Sequence, residues 1–395
     1  MRNVVSVVMA VLISACSSSG TPAATSAASA PTPTTTAAAT SAAPSAATSP
    51  SGRALPPGIT DLTQVFHPLA TGWRPTGTTL VVARAIVSSE ITLVAVPIGA
   101  SGATPGPTPI VSFVPDTWAL RPDGGALAVS VWTGKGGRIA MWDVRSGVAR
   151  WLTPDEAGTS VLTPVWSLDG ASIYYLATND ELRTAAIFAV GADGTGRKQL
   201  RATEAGTSSL NGLTPDGKGL VWTASGAGGT VEVLDIATGV ARHLENTARV
   251  ASWRERQPRA LVAVGGCCAG RPGGELVVWN DVALTSRVVA ARGPSGDPAW
   301  GDAAWDPAGT RIVAVRYTGA SPYEGSLVII DADSAALQPI ADTQGAGLVL
   351  WSPAGIVFTR PLRIGIEVML LPNGSGAAVS VYQDAGLIQR IEVPR

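Results

Sequence analysis

The sequence predicts an all-β protein: a β-propeller of seven four-stranded blades over 58–395, behind an N-terminal stretch with no fold of its own. Three observations predict it. A Trp/Leu-x-Pro-Asp-Gly-like motif recurs at a fixed interval, apolar runs of strand length follow each copy, and the chain holds 45 Gly and 29 Pro among 395 residues with only 14% charged. That composition suits strands joined by tight turns.

The chain opens on "MRNVVSVVMAVLISAC", with Arg2, an apolar run from Val4 to Ile13, and small residues ending at Cys16. The run falls well short of the roughly 20 residues a spanning helix needs, but it has the length of a signal-peptide core. Ile13-Ser14-Ala15-Cys16 resembles the bacterial lipobox, with Ile in place of the usual Leu. The resemblance implies cleavage of 1–15 as a lipoprotein signal peptide and acylation of Cys16 with a diacylglyceryl group, often with a third chain. Two or more chains hold a protein stably to a bilayer. The expectation is an anchor on the extracytoplasmic face of a bacterial membrane.

Residues 16–57 carry the lipidated cysteine and a tether made almost wholly of Ser, Thr, Ala, Pro and Gly, with Arg53 as its one charge. Such a segment lacks the apolar side chains needed to offset the entropy of ordering, so it is expected to be disordered. As a flexible coil, about 40 residues span on the order of 35 Å.

The repeat runs through Trp73-Arg-Pro-Thr-Gly77, Leu120-Arg-Pro-Asp-Gly124, Trp166-Ser-Leu-Asp-Gly170, Leu213-Thr-Pro-Asp-Gly217, Trp305-Asp-Pro-Ala-Gly309 and Trp351-Ser-Pro-Ala-Gly355. The glycines are 47, 46, 47, 92 and 46 residues apart, and the double interval holds a degenerate unit at Trp253-Arg-Glu-Arg-Gln257. Pro and Gly supply the dihedrals of a tight turn. The run after each turn, such as "ALAVSVW", "SIYYLA" or "RIVAV", is apolar on both faces, as a strand covered on both sides must be. A third strand follows, for example "RIAMWD" or "LVIID", then a more polar fourth such as "VARWLT". Four strands per unit at this period is a propeller pattern, because one unit alone cannot bury its faces. "ITDLTQVF" at 59–66 and "LIQRIEV" at 387–393 are extra strand-like pieces that either complete a blade and close the ring or add an eighth blade, with seven blades expected.

From Ile59 to Arg395 the repeat resembles the WD40-like propellers of the Tol type, whose repeats also read Trp-Ser-Pro-Asp-Gly before an apolar strand. The resemblance implies the fold. In that family an α/β domain precedes the propeller, and here the low-complexity tether stands in its place.

Chemistry-bearing residues are few. Asp123, Asp169 and Asp216 fall in equivalent turns on different blades, which reads as architecture rather than as paired catalytic carboxylates. Two histidines, His67 and His243, leave little room for a Ser-His-Asp or His-rich metal site. No nucleophile elbow or P-loop occurs, and neither a cofactor nor a metal is expected. A net charge of -1 with three scattered lysines (Lys135, Lys198, Lys218) gives no basic stripe for nucleic acid.

The most individual loop is "GGCCAGRPGG", Gly265–Gly274, in the degenerate unit. In an exported chain the adjacent Cys267 and Cys268 point first to a vicinal disulfide that stiffens the loop, with inert thiols as the alternative. Arg271 in that loop, with Arg316, Tyr317, Tyr323 and Glu324 of the following unit, forms the candidate binding face, since aromatics and arginine are enriched at binding hot spots. The expected function is a membrane-anchored binding or scaffold module for a protein, peptide or glycan partner. The alternative is a propeller enzyme, a lyase or cofactor-dependent dehydrogenase, working at the central channel.

Overall fold

A computed structural model describes residues 61–394 apart from 71–72, 74–78, 88–89, 99–105, 180, 204–206, 225–229, 245–248, 254–259, 265–273, 281–282, 284, 294–297 and 319–324. Its residues 58–395 form one compact unit. Six antiparallel sheets have four strands each in chain order: blade 1 (Thr117–Trp151), blade 2 (Ser160–Thr203), blade 3 (Thr207–Leu244), blade 4 (Arg249–Ala290), blade 5 (Ala299–Pro339) and blade 6 (Val349–Asp384).

Among the described residues there are thus six four-stranded blades and not the seven expected, because the remaining sheet is built differently. Between blades 6 and 1 lies a five-stranded closing sheet, ordered Phe66–Pro68, Thr108–Phe113, Glu90–Pro97, Thr79–Val87 and Leu387–Glu392. Both extra segments reach this sheet, but within 59–66 Leu62–Gln64 is a 3-10 turn rather than strand, and only Phe66 belongs to the edge strand. The C-terminal one supplies the first strand, pairing Val82 with Ile391. The N-terminal one adds a strand on the far edge, pairing Phe66 with Phe113. Neighbouring sheets share apolar cores all round. Val129 and Trp142 of blade 1 pack with Val111 and Phe113 of the closing sheet, and Val357 and Val368 of blade 6 with Leu80 and Val82 on its other side.

Second strands bury both faces as their apolar runs require: Ala126–Trp132 and Ser172–Asn179 are buried almost throughout. Successive residues serve opposite interfaces. Ile312 and Ala314 join the core shared with blade 4, and Val313 and Val315 join the core shared with blade 6.

The aspartates of the motif close their own turns. Asp169 accepts hydrogen bonds from Ser167 Oγ at 2.6 Å and Ala171 N at 2.9 Å, and Asp216 from Thr214 Oγ1 at 2.7 Å and Lys218 N at 3.1 Å. The following glycine sits in the left-handed region, with φ 68° at Gly170 and 70° at Gly217. Where Ala308 replaces the aspartate, Asp306 takes over, accepting from Thr310 N at 2.8 Å and Arg311 N at 3.0 Å. The turns between third and fourth strands repeat another device: Asp143, Asp235 and Asp331 each accept two backbone N–H groups and one hydroxyl.

Candidate functional site

The first strands of the blades, with Leu387–Glu392, surround a central cavity of about 1210 Å³. Its wall includes stretches in and beside the first strands of blades 1, 2, 3, 5 and 6 and the C-terminal strand: 115–122, 163–166, 210–213, 304–307, 350–351 and 389–394. At the turn end the third motif residues of blades 1, 2, 3, 5 and 6, Pro122, Leu168, Pro215, Pro307 and Pro353, line the cavity. The proline that shapes the turn therefore also lines one mouth of the channel.

Three residues before each anchor the chain reads Thr117, Thr163, Leu210, Asp302 and Leu348. Where this residue is polar it staples its blade to the next. Thr117 Oγ1 accepts from Thr163 N at 2.7 Å, Thr163 Oγ1 from Leu210 N at 3.0 Å, and Asp302 Oδ2 from Val349 N at 3.1 Å. Register shifts fall in this stretch, between the partners of Tyr174 and Leu176, at Leu210/Gly212 and at Trp300/Ala303. Thr163 has φ 49° and Gly212 φ 136°. Bulges of this kind re-aim side chains; here they turn Thr163 and Asn211 toward the cavity wall.

Four carboxylates and two guanidiniums line the cavity among the described residues: Glu90, Asp116, Asp306 and Glu392 against Arg121 and Arg390. Asp306 pairs with Arg311 at 3.3 Å, Glu392 with Arg390 at 2.6 Å, Arg121 with Asp123 at 2.6 Å, and Glu90 lies 3.5 Å from His67. Arg390 also lies over the Trp118 ring at 5.0 Å. Asp116 makes no ion pair among the described residues. Its side chain is accessible, yet the protein around the cavity desolvates it and raises its pKa, against a backbone hydrogen bond from Trp132 that lowers it. A carboxylate perturbed in this way in a concave site marks a candidate ligand contact.

Both histidines lie on the outermost strands of their sheets, His67 on Phe66–Pro68 and His243 on Ala241–Leu244; neither lines the cavity, though His67 stands beside its lining residue Glu90. Cys16, Cys267, Cys268, Arg271, Tyr323 and Glu324 lie outside the described residues. Arg316 and Tyr317 end the second strand of blade 5 on the face opposite the Pro-Asp-Gly turns, here called the loop face. They diverge from each other there. Tyr317 packs on the core shared with blade 6, so close to Gly301 that a Cβ there would meet its ring at 2.5 Å. Arg316 faces blade 4, and Trp300, its cross-strand neighbour, bridges to Gly274 at the end of the cysteine loop.

Sequence reasoning missed Asp116, Thr117, Asn211 and Arg390. For Thr117 the available signal was positional, a polar residue three places before the anchor; Asp116 and Asn211 stand four and two places before theirs, and Arg390 follows no motif, so that signal does not reach them.

No protein-family model and no curated protein matches the chain. Solved structures do. A puromycin hydrolase is 18% identical with a TM-score of 0.57 over 83% of this chain, which spans 55% of that protein. An oligogalacturonate lyase in complex with manganese is 14% identical with a TM-score of 0.53, over 80% of this chain and 86% of that one. TolB from Acinetobacter baumannii is 12% identical with a TM-score of 0.44, over 78% and 80%. At these identities the likeness is one of fold, a β-propeller.

Proposed function

We propose that the protein is an extracytoplasmic lipoprotein, anchored to a bacterial membrane through acylated Cys16, whose propeller is a binding or scaffold module for a protein, peptide or glycan partner. The observation that supports this most is a contrast between uniform turns and divergent walls. Turn chemistry repeats from blade to blade, whereas the cavity-lining residues two places before the anchor are Trp118, Pro164 and Asn211 in successive blades. Individual residues on a rigid repeated frame are how such scaffolds bind. Arg271, Arg316, Tyr317, Tyr323 and Glu324 extend the contact surface over the loop face, and a vicinal disulfide at Cys267 and Cys268 fixes the loop beside them.

A photo-crosslinking residue placed at Asn211 of the full chain on intact cells tests the reading, with the same probe at exposed Val240 as the control. The expected result is a discrete adduct from position 211 only, lost on Thr163→Trp, and release of the protein from membranes on Cys16→Ser. Equal labelling from both positions, or turnover of a small molecule by the purified chain, would overturn it.

A further inference from the structure

Three consecutive interfaces of the ring carry an arginine at one equivalent position. Leu80, Ile312 and Ile356 are each the second residue of a second strand and buried, and four residues later, on the same side, stand Arg84, Arg316 and Arg360. All three face the preceding sheet, since Leu80, Ile312 and Ile356 lie in the cores shared with it. In blades 1 and 2 the corresponding residues are the apolar Val131 and Ala177.

Two of the three arginines hold a carboxylate. Arg360 reaches its cross-strand neighbour Glu367 through Nε at 2.8 Å and Nη2 at 2.5 Å, both to Oε1. Arg84 reaches Asp384, on the outer strand of the preceding blade, through Nη1 at 2.7 Å, and Tyr382 adds its hydroxyl to the same carboxylate at 2.5 Å. Arg316 has neither partner. Its cross-strand neighbour, in the place of Glu367, is Ser326. The outer strands of blades 4 and 6 align through the same register shift, Ala290 opposite Leu276 matching Tyr382 opposite Val368. That alignment puts Ala290 in the place of Tyr382 and Arg292 in the place of Asp384.

The frame that grips a carboxylate at two interfaces is thus kept at the third without one, and the position that continues the register to match Asp384 carries an arginine. Arg316 is half-buried, its Nε is fully buried without a hydrogen bond, and no described residue pairs with its guanidinium. Leaving a buried charged donor unpaired is costly. A planar guanidinium fits a carboxylate with two parallel hydrogen bonds. We infer that Arg316 is a ligand-binding residue that takes a carboxylate group in the position Glu367 and Asp384 fill at the neighbouring interfaces. The ligand is a free small acid or an acidic residue of a bound polypeptide. The inference rests on the loop face being a binding face and names the chemistry it recognises there.

The test is thermal unfolding of the full chain at pH 7 and constant ionic strength. Sodium acetate is titrated against sodium chloride and sodium sulfate, and a blocked tetrapeptide containing Glu against its Gln counterpart. Acetate is expected to raise Tm saturably while chloride and sulfate do not. Arg316→Gln should abolish the response. Ser326→Glu should raise Tm without ligand and weaken the acetate response at least tenfold, because it restores the internal partner. A response to acetate assigns a small acid; a response only to the Glu peptide assigns a polypeptide. Equal shifts with all three salts, no response to either carboxylate probe, or a response that survives Arg316→Gln would overturn the inference. The crosslink from Asn211 does not involve Arg316, so its persistence in that event would leave the binding-module reading standing and remove only the carboxylate assignment.

Discussion

Replacing Asp384 by alanine should loosen the ring at its closure before it loosens anything else. The Asp384 side chain is 8% exposed and accepts from Arg84 at 2.7 Å, Tyr382 at 2.5 Å and Gly386 N at 2.7 Å. It sits where blade 6 hands the chain to Leu387–Glu392, the strand that completes the closing sheet. Hydrogen bonds to a charged group contribute about 1.5–3 kcal/mol each, and breaking a buried pair from one side costs about 3–5 kcal/mol. Arg84 keeps 27% of its side chain in solvent and regains water, so the lower end applies, about 3 kcal/mol. For a domain of this size that is about 5 °C in Tm. Burial raises the Asp384 pKa, but the bonds from Tyr382 and Arg84 outweigh it and leave the carboxyl below its ordinary value. A depressed folded pKa stabilises above the unfolded value and stops doing so as pH falls through the folded one. The difference between wild type and Asp384→Ala should therefore be constant above about pH 5 and shrink below about pH 4. Calorimetry gives the magnitude, and hydrogen exchange gives the place: amides of Leu387–Glu392 should exchange faster while those of Ser172–Asn179 do not. Uniform acceleration in both strands, or a loss under about 1 kcal/mol, would refute the latch.

Other expectations follow from the same geometry. Trp142 and Trp300 are both fully buried, but Trp300 Nε1 donates to Ala291 O at 3.0 Å while Trp142 Nε1 has no partner. In urea unfolding, Trp300→Phe should therefore cost about 1 kcal/mol more than Trp142→Phe. Gly355 has φ 137° and a Cβ there would lie 2.2 Å from Leu371 O, whereas Gly147 has φ 71° with open space around it. Gly147→Ala should cost about 1 kcal/mol, and Gly355→Ala several times that, or fail to fold. Hydrogen bonds from Ser146, Thr238 and Ser334 hold Asp143, Asp235 and Asp331 below the ordinary carboxylate pKa, against burial that pushes Asp143 upward. Replacing all three by Asn should lower Tm at pH 7, and by progressively less as pH falls below about 4.

What could be read from the sequence was what repeats. The Pro-Asp-Gly turns at Asp169 and Asp216 and the runs "ALAVSVW" and "SIYYLA" are local patterns, and each recurs in a place where local chemistry decides structure. The closing sheet was harder. Its first strand comes from 387–392 and pairs with 81–85 across more than 300 residues, which no local pattern encodes. The cavity was harder still, because a lining residue such as Thr163 or Asn211 sits at a bulge, and a bulge shifts the face a residue points to without changing the alternation around it.

The arginines of the loop face show how a repeat fold acquires a site. Arg84 and Arg360 are structural because a carboxylate arrived with each of them, from the preceding blade in one case and from the same sheet in the other. Arg316 holds the same scaffold position with Ser326 in the place of Glu367 and Arg292 in that of Asp384. The step from latch to receptor thus needs no new backbone, only the removal of an internal partner from a frame that already fits one. The same logic predicts its reversal: Ser326→Glu should make the interface of blades 4 and 5 resemble that of blades 5 and 6, gaining stability as it loses its ligand. If Ser326→Glu destabilises the chain while Arg316→Gln stabilises it, the space beside Arg316 is packed for something other than a carboxylate.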